Sequence, residues 1–146
     1  MTHSPAGAAF TALVLEVFRL NGALLDAGDA LTRPVSQSSA RWQVMGCIDE
    51  TALSVAQIAR VMGLARQSVQ RVANLLVADG LAEFTDNPVH KRAKLLRLTK
   101  TGLATLEQIE TAQRRWANDL GEQIGLQELE EVNSALARVI EVLESH

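Results

Sequence analysis

The chain is poor in the residues that build several common kinds of protein. Among its 146 residues there is one cysteine, Cys47, no tyrosine, and only 3% aromatic residues. One cysteine excludes an internal disulfide, and with it a small scaffold stapled by bridges. Few aromatics beside 47% hydrophobic residues leave a core of Leu, Val, Ile and Ala, which favours helices over a β-sandwich. The three histidines, His3, His90 and His146, sit at the termini and in a polar stretch, without metal-ligand spacing. There is no phosphate-binding loop, no glycine-rich dinucleotide fingerprint and no nucleophile spaced with a base. No enzyme, cofactor or metal is therefore expected. No apolar run is read as long enough to span a bilayer, and the start, Met1-Thr2-His3-Ser4-Pro5, lacks a signal peptide's basic residues. The expectation is a cytoplasmic chain of one domain, residues 1–146, with no membrane partner.

What is present is unevenly distributed. The net charge is −3. Residues 54–102 hold eight basic residues (Arg60, Arg66, Arg71, Lys91, Arg92, Lys94, Arg97, Lys100) against Asp79, Glu83 and Asp86, a local charge of +5 that leaves −8 on the rest. A basic centre between acidic flanks points to a local anion-binding face.

Hydrophobic periodicity organises the chain into helices. Residues 6–26 read as a first helix with a broad apolar stripe through Phe10, Val14, Val17 and Leu24, ended by Gly28-Asp29. A connection containing Pro34 leads to a second helix, residues 38–49, with Trp42, Met45 and Ile48 on one side. Ser54 and Gln57 form a capping-box signature for a third helix, with Ile58 and Val61 as its core side. Gly63-Leu64 makes a turn. A fourth helix, residues 66–78, buries Val69, Val72, Leu75 and Leu76 and crowds Arg66, Gln67, Ser68, Gln70 and Arg71 into its N-terminal half. Gly80 ends it. Two strand-like runs, 81–85 and 94–99, flank the polar tip 86–92. A fifth helix carries Leu103, Leu106, Ile109, Trp116 and Leu120. A last helix repeats Leu129, Val132, Leu136, Val139 and Leu143 alternately three and four apart, as in a coiled-coil seam.

Two short helices followed by a basic-tipped hairpin form the layout of a winged helix-turn-helix, a device with one helix for the major groove and a hairpin for its flank. The expected fold is therefore mainly α with a small β-hairpin wing. The winged helix-turn-helix lobe spans 38–102, and the helices 5–30 and 103–146 form a dimerisation region.

Three stretches carry a resemblance to the MarR family of transcriptional regulators. Leu64-Ala65-Arg66-Gln67-Ser68-Val69-Gln70-Arg71-Val72, through Leu76 and Gly80-Leu81, is similar to that family's recognition helix and its exit. His90-Lys91-Arg92-Ala93-Lys94-Leu95-Leu96-Arg97-Leu98-Thr99 resembles its wing return strand. Leu98-Thr99-Lys100-Thr101-Gly102 resembles its Leu-Thr-x-x-Gly start of the fifth helix. The resemblance implies a homodimer on a pseudo-palindromic double-stranded DNA operator, usually repressing, with release by a small aromatic or anionic effector. It implies base contacts from Arg66, Gln67, Gln70 and Arg71, a phosphate or base contact from Ser68, and wing contacts from Lys91 and Arg92. Lys94, Arg97 and Lys100 reach the backbone at most, and Arg60 is read as structural or solvent-facing. An effector would sit beside Trp42 and Trp116, with Arg41 or Arg19 as an anion partner.

The sequence departs from the family at two places. His90 stands where the family usually has an aspartate bracing the wing arginine. Ala65 stands where a serine or threonine often opens the recognition helix, and a missing N-cap oxygen costs about 1 kcal/mol. Cys47, flanked by Gly46 and Ile48, reads as a small buried hydrophobe rather than a redox sensor. The competing reading is a dimeric winged-helix module that binds protein through the hairpin and the acidic last helix.

Overall fold

Short polar signals place most of the helix ends. In the computed structural model, which describes residues 1–146, α1 (Pro5–Thr32) opens with proline at its first turn, and Ser4 Oγ accepts the Gly7 N–H at 3.0 Å. A single 3-10 turn, Arg33–Val35, leads to α2 (Ser39–Cys47), where Ser38 Oγ accepts the Arg41 N–H at 3.3 Å. A two-residue strand β1 (Leu53–Ser54) precedes α3 (Val55–Met62), whose capping box is complete: Ser54 Oγ accepts the Gln57 N–H and Gln57 Oε1 accepts the Ser54 N–H. Gly63, at φ 66°, turns the chain into α4 (Arg66–Ala78).

The hairpin consists of β2 (Ala82–Thr85) and β3 (Leu95–Leu98). Both β1 and β2 pair with β3 antiparallel, so the sheet order is β1-β3-β2, with Leu53 and Phe84 opposite Leu96 on either side. β1 was not foreseen, because two residues are too short to show a period of two. Met45, Ile58, Leu76 and Leu96 meet in the fully buried core with Leu106 and Ile109 of α5 (Lys100–Ile124). α6 (Leu126–Ser145) follows Gly125, whose φ is 104°. The mainly helical fold with a small antiparallel sheet is the expected one.

Several expected details are corrected. The first helix does not end at Gly28-Asp29 but runs on to Thr32. Gly28 is there for close approach: a Cβ on it would collide with Ser39 Oγ. Ser39 Oγ donates to the Leu25 carbonyl at 2.6 Å, and the Asp29 carboxylate accepts the Ser39 N–H at 2.8 Å. The pair taken as a helix stop therefore clamps α1 to the start of α2. Val61 and Leu75, expected in the core, are 69% and 42% exposed. The inward face of α3 is Val55, Ile58, Ala59 and Met62, and that of α4 is Val69, Val72, Ala73 and Leu76. Both follow an i, i+3, i+4, i+7 spacing that includes a small alanine and leaves the larger neighbour outside. The expectation that no stretch could cross a bilayer fails for the first helix, since Pro5–Val35 contains an 18-residue window of mean hydropathy 1.5 and is long enough.

The chain divides into two compact units, Met1–Ile109 and Glu110–His146. The first holds the core and the sheet. In the second, Trp116, Leu120, Leu129, Leu136 and Val139 are half-buried, while Val132 and Leu143 of the same seam are exposed.

Candidate nucleic-acid interface

The fourth helix is held by its apolar face, which frees its polar one. Val69, Val72, Ala73 and Leu76 are buried, so Arg66, Gln67, Ser68, Gln70 and Arg71 stand exposed on the other sides. No side chain caps the helix start. Ala65 has extended backbone and offers no oxygen, so the first N–H groups of α4 open toward solvent.

The wing is anchored at its base by a polar cluster. Thr99 Oγ1 accepts the Gly102 N–H at 3.1 Å and donates to the Gly80 carbonyl at 2.6 Å, while the Thr99 N–H donates to the Leu81 carbonyl. A Cβ at position 102 would strike the Leu81 carbonyl oxygen. The Leu-Thr-x-x-Gly run is thus a steric and hydrogen-bonding joint: the threonine ties the end of α4 to the start of α5, and the glycine lets the two backbones touch.

Helix and wing border one groove of about 540 Å³. Arg66, Gln67 and Gln70 line it from α4, Arg92 and Lys94 from the wing, and Ser54, Val55 and Ala56 from the start of α3. Ser68 and Arg71 lie on α4 outside this lining, and Lys91 is exposed at the tip. Charge pairing divides the basic residues. Arg97 donates to Glu83 across the hairpin at 2.6 Å, so its charge is already compensated. Arg66, Arg71, Lys91, Arg92 and Lys94 have no ion pair. His90 is exposed at the wing, and its carbonyl accepts the Ala93 N–H at 3.3 Å.

Comparison with known proteins adds to this geometry. The family model described as MarR family matches residues 37–93. The chain belongs to the MarR family. An uncharacterised protein of Mycobacterium tuberculosis is 38% identical over 133 residues, covering 91% of this chain and 93% of its own, and a protein of Mycobacterium bovis matches equally. Among solved structures, a MarR family transcription regulator aligns with TM-score 0.81 at 20% identity over 95% of both chains. The transcriptional repressor CouR, bound to a 23-mer DNA duplex, aligns with TM-score 0.79 at 23% identity over 95% of this chain and 99% of its own. A mutant MarR from E. coli complexed with operator DNA aligns with TM-score 0.74 at 22% identity over 86% of this chain and 94% of its own.

Within the first unit, Trp42, Arg41 and Arg19, expected around a MarR effector, do not share one cavity lining. Trp42 lines an apolar cavity of about 440 Å³ with Leu24, Leu25, Cys47, Val61 and Met62. Arg41 is not in that lining: it donates to Asp79 at 2.6 Å and forms an ion pair tying α2 to the end of α4. Arg19 is largely exposed and lies 3.9 Å from Glu16, one helical turn away. Trp116 lies half-buried in the second unit. Burial pushes the Cys47 thiol up from its ordinary range, which suppresses the thiolate at neutral pH. Sequence reasoning overlooked Asn74, which accepts a hydrogen bond from Gln70 Nε2 at 2.9 Å; its signal was the i, i+4 spacing of two amides on the polar face.

Proposed function

We propose that this MarR-family protein is a sequence-specific DNA-binding transcriptional regulator of the repressor kind, acting as a homodimer and not as an enzyme. The observation that carries the reading is the set of five unpaired basic side chains on α4 and the wing, three of them lining a single groove with two glutamines. Two cations facing each other across a groove with no carboxylate partner repel each other, and a bound polyanion removes that repulsion. Arg66, Gln67, Gln70 and Arg71 would read base edges and Ser68 a phosphate or base. Lys91, Arg92 and Lys94 would hold the flanking backbone or minor groove. The DNA-bound relatives of the same fold support this use of helix and wing.

The dimer follows from what one chain leaves uncovered. Phe10, Leu15, Phe18 and Leu24 on α1 and Val132 and Leu143 on α6 are each 43% or more exposed. Such faces are covered in solution by another protein surface or a membrane. The charges along α1 (Glu16, Arg19, Asp26 and Asp29) and the use of Asp29 to anchor α2 favour a second copy and a cytoplasmic site. Two copies would place two recognition helices about one DNA turn apart on a pseudo-palindrome. A small, mostly apolar effector would enter the cavity beside Trp42 and act by favouring a spacing that fits DNA poorly.

The test is fluorescence anisotropy with a labelled duplex from the DNA flanking this protein's own coding region, against a scrambled duplex of equal length. Selective binding that an Arg66→Ala/Arg92→Ala variant loses supports the reading. Equal binding to both duplexes, unchanged in the variant, overturns it for that locus.

A further inference from the structure

The wing borders a second cavity, of about 610 Å³, together with β1 and α3. That volume suits a small molecule. Its apolar part is Leu53, Ala56, Val89 and Leu95, and its cationic part is Arg60 of α3 with His90 of the wing. No carboxylate lines it: Asp49, Glu50 and Asp86, the acidic residues nearest in sequence to the lining segments, stand outside. Arg60 is exposed and its side chain has neither an ion pair nor a hydrogen bond.

Two amides in the lining add donors of fixed sense. Gln57 Oε1 accepts the Ser54 N–H at 2.9 Å, and Asn87 Oδ1 accepts the Val89 N–H at 3.0 Å. A backbone N–H can only donate, so each amide oxygen is held in place and each NH2 group is left with two N–H to give. The remaining polar side chains, Thr51, Ser54 and His90, can each donate as well. A surplus of donors and positive charge beside an apolar floor is complementary to an anion that carries an apolar body. A bare inorganic anion would leave the floor uncovered, and a neutral apolar compound would gain nothing from Arg60.

We propose that this cavity binds a small carboxylate with an apolar body, with Arg60 as its charge partner and Gln57 and Asn87 as donors, and that occupancy weakens the hold of the wing on DNA. The cavity shares no lining residue with the one beside Trp42. It does share Ser54, Ala56 and Ala93 with the groove lined by Arg66, Arg92 and Lys94. Ala93 lies between Arg92 and Lys94 in the chain, so a ligand against Ala93 bears on the two wing cations beside it. Its negative charge also lowers the positive potential that attracts phosphate. The binding site stands by itself, whereas its effect on DNA rests on the DNA-reading proposal.

The experiment uses the full chain. The probe is 2-naphthoate, titrated against amide NMR shifts beside 2-naphthamide, which lacks the charge, and acetate, which lacks the apolar body. Shifts should centre on residues 51–60 and 87–95, with naphthoate bound about tenfold or more tighter than either control. Arg60→Gln should weaken naphthoate by about tenfold or more, while Arg33→Gln, the same charge change outside the cavity, should leave it unaltered. Gln57→Glu and Asn87→Asp keep the oxygen that holds the Ser54 or Val89 N–H, so the melting temperature should hold. Both replace donors by a carboxylate and should abolish binding. On a duplex selected from a randomised library, saturating naphthoate should lower the DNA affinity of wild type several-fold and that of Gln57→Glu not at all.

Naphthoate that fails to bind, that shifts the amides around Trp42 instead, or that binds Arg60→Gln and Gln57→Glu as tightly as wild type overturns the site. Binding here with DNA affinity unmoved overturns the coupling. A chain that binds naphthoate here yet selects no duplex upholds the site and removes the DNA-reading proposal instead.

Discussion

The central lobe and the outer helices use apolar residues in opposite ways. Between α2 and β3, the large apolar side chains at i, i+3, i+4, i+7 positions go inside, and Ile58, Leu76 and Leu96 lose all contact with solvent. On α1 the apolar stripe is just as regular, yet Phe10 is 43% and Leu24 49% exposed. The difference teaches that a period locates a face but not what covers it. In the lobe the covering elements lie within the chain. For α1 and α6 the proposed cover is a second copy. A similar contrast separates the cations: Arg41 and Arg97 are neutralised by Asp79 and Glu83, whereas Arg66, Arg71, Lys91, Arg92 and Lys94 have no ion pair.

The largest effect should come from the free cations. Arg66→Ala with Arg92→Ala should weaken binding to a selected operator duplex by more than a hundredfold, from a lost base contact of about 1–3 kcal/mol per half-site plus lost phosphate attraction. Arg97→Ala, already paired, should change it little. Anisotropy titrations of both variants test the contrast, and equal losses would erase it.

Next in size is the uncovered apolar surface. Phe18→Glu or Val132→Glu removes a side chain exposed in the single chain, so the lobe should keep its far-ultraviolet dichroism. Sedimentation should nevertheless show a dimer giving way to monomer, with stability that no longer rises with protein concentration. A mass unaltered by both substitutions would mean these faces are not the interface.

The wing joint should follow. Gly102→Ala places a methyl group against the Leu81 carbonyl and should destabilise the chain by about 1–3 kcal/mol in urea unfolding. At the start of the recognition helix the sign reverses. Ala65→Ser supplies the missing cap oxygen and should add about 1 kcal/mol of stability, with operator affinity unchanged or higher.

The smallest effect concerns Cys47. With its pKa raised by burial, the thiolate fraction at neutral pH is below that of a free cysteine. Alkylation by iodoacetamide at pH 7 should therefore be slower than for a model thiol, should accelerate as pH rises toward 9, and should leave DNA binding unaffected by mild peroxide. Rapid alkylation at neutral pH would assign Cys47 to a sensing role.

The parts of the fold with local physical signals were legible in the sequence. The Ser54–Gln57 capping box, the turns at Gly63 and Gly80 and the two hairpin runs lie where residue chemistry puts them. So do the exposed Arg66, Gln67 and Gln70, because burying Val69, Val72 and Leu76 leaves them one side. What was not legible depended on partners distant in sequence. Gly28-Asp29 looks like a helix stop until Ser39 is packed against it, ten or more residues away. β1 is visible only through its pairing with β3. Arg41 looks free for a ligand until Asp79 is found beside it. Val61 and Leu75 attract a core assignment by size, while the alanines that occupy the core beside them attract none.

The most direct test of the central claim, that the unpaired wing cations engage a nucleic-acid backbone, is the salt dependence of DNA affinity. It would compare wild type with Lys91→Ala/Arg92→Ala/Lys94→Ala on one duplex. Each phosphate contact contributes about 0.9 to the slope of log K against log salt, so losing three per protomer should make a dimer's slope shallower by about five. A slope that falls by that order is the predicted result. An equally steep slope in the variant would place the wing away from the DNA and contradict the account.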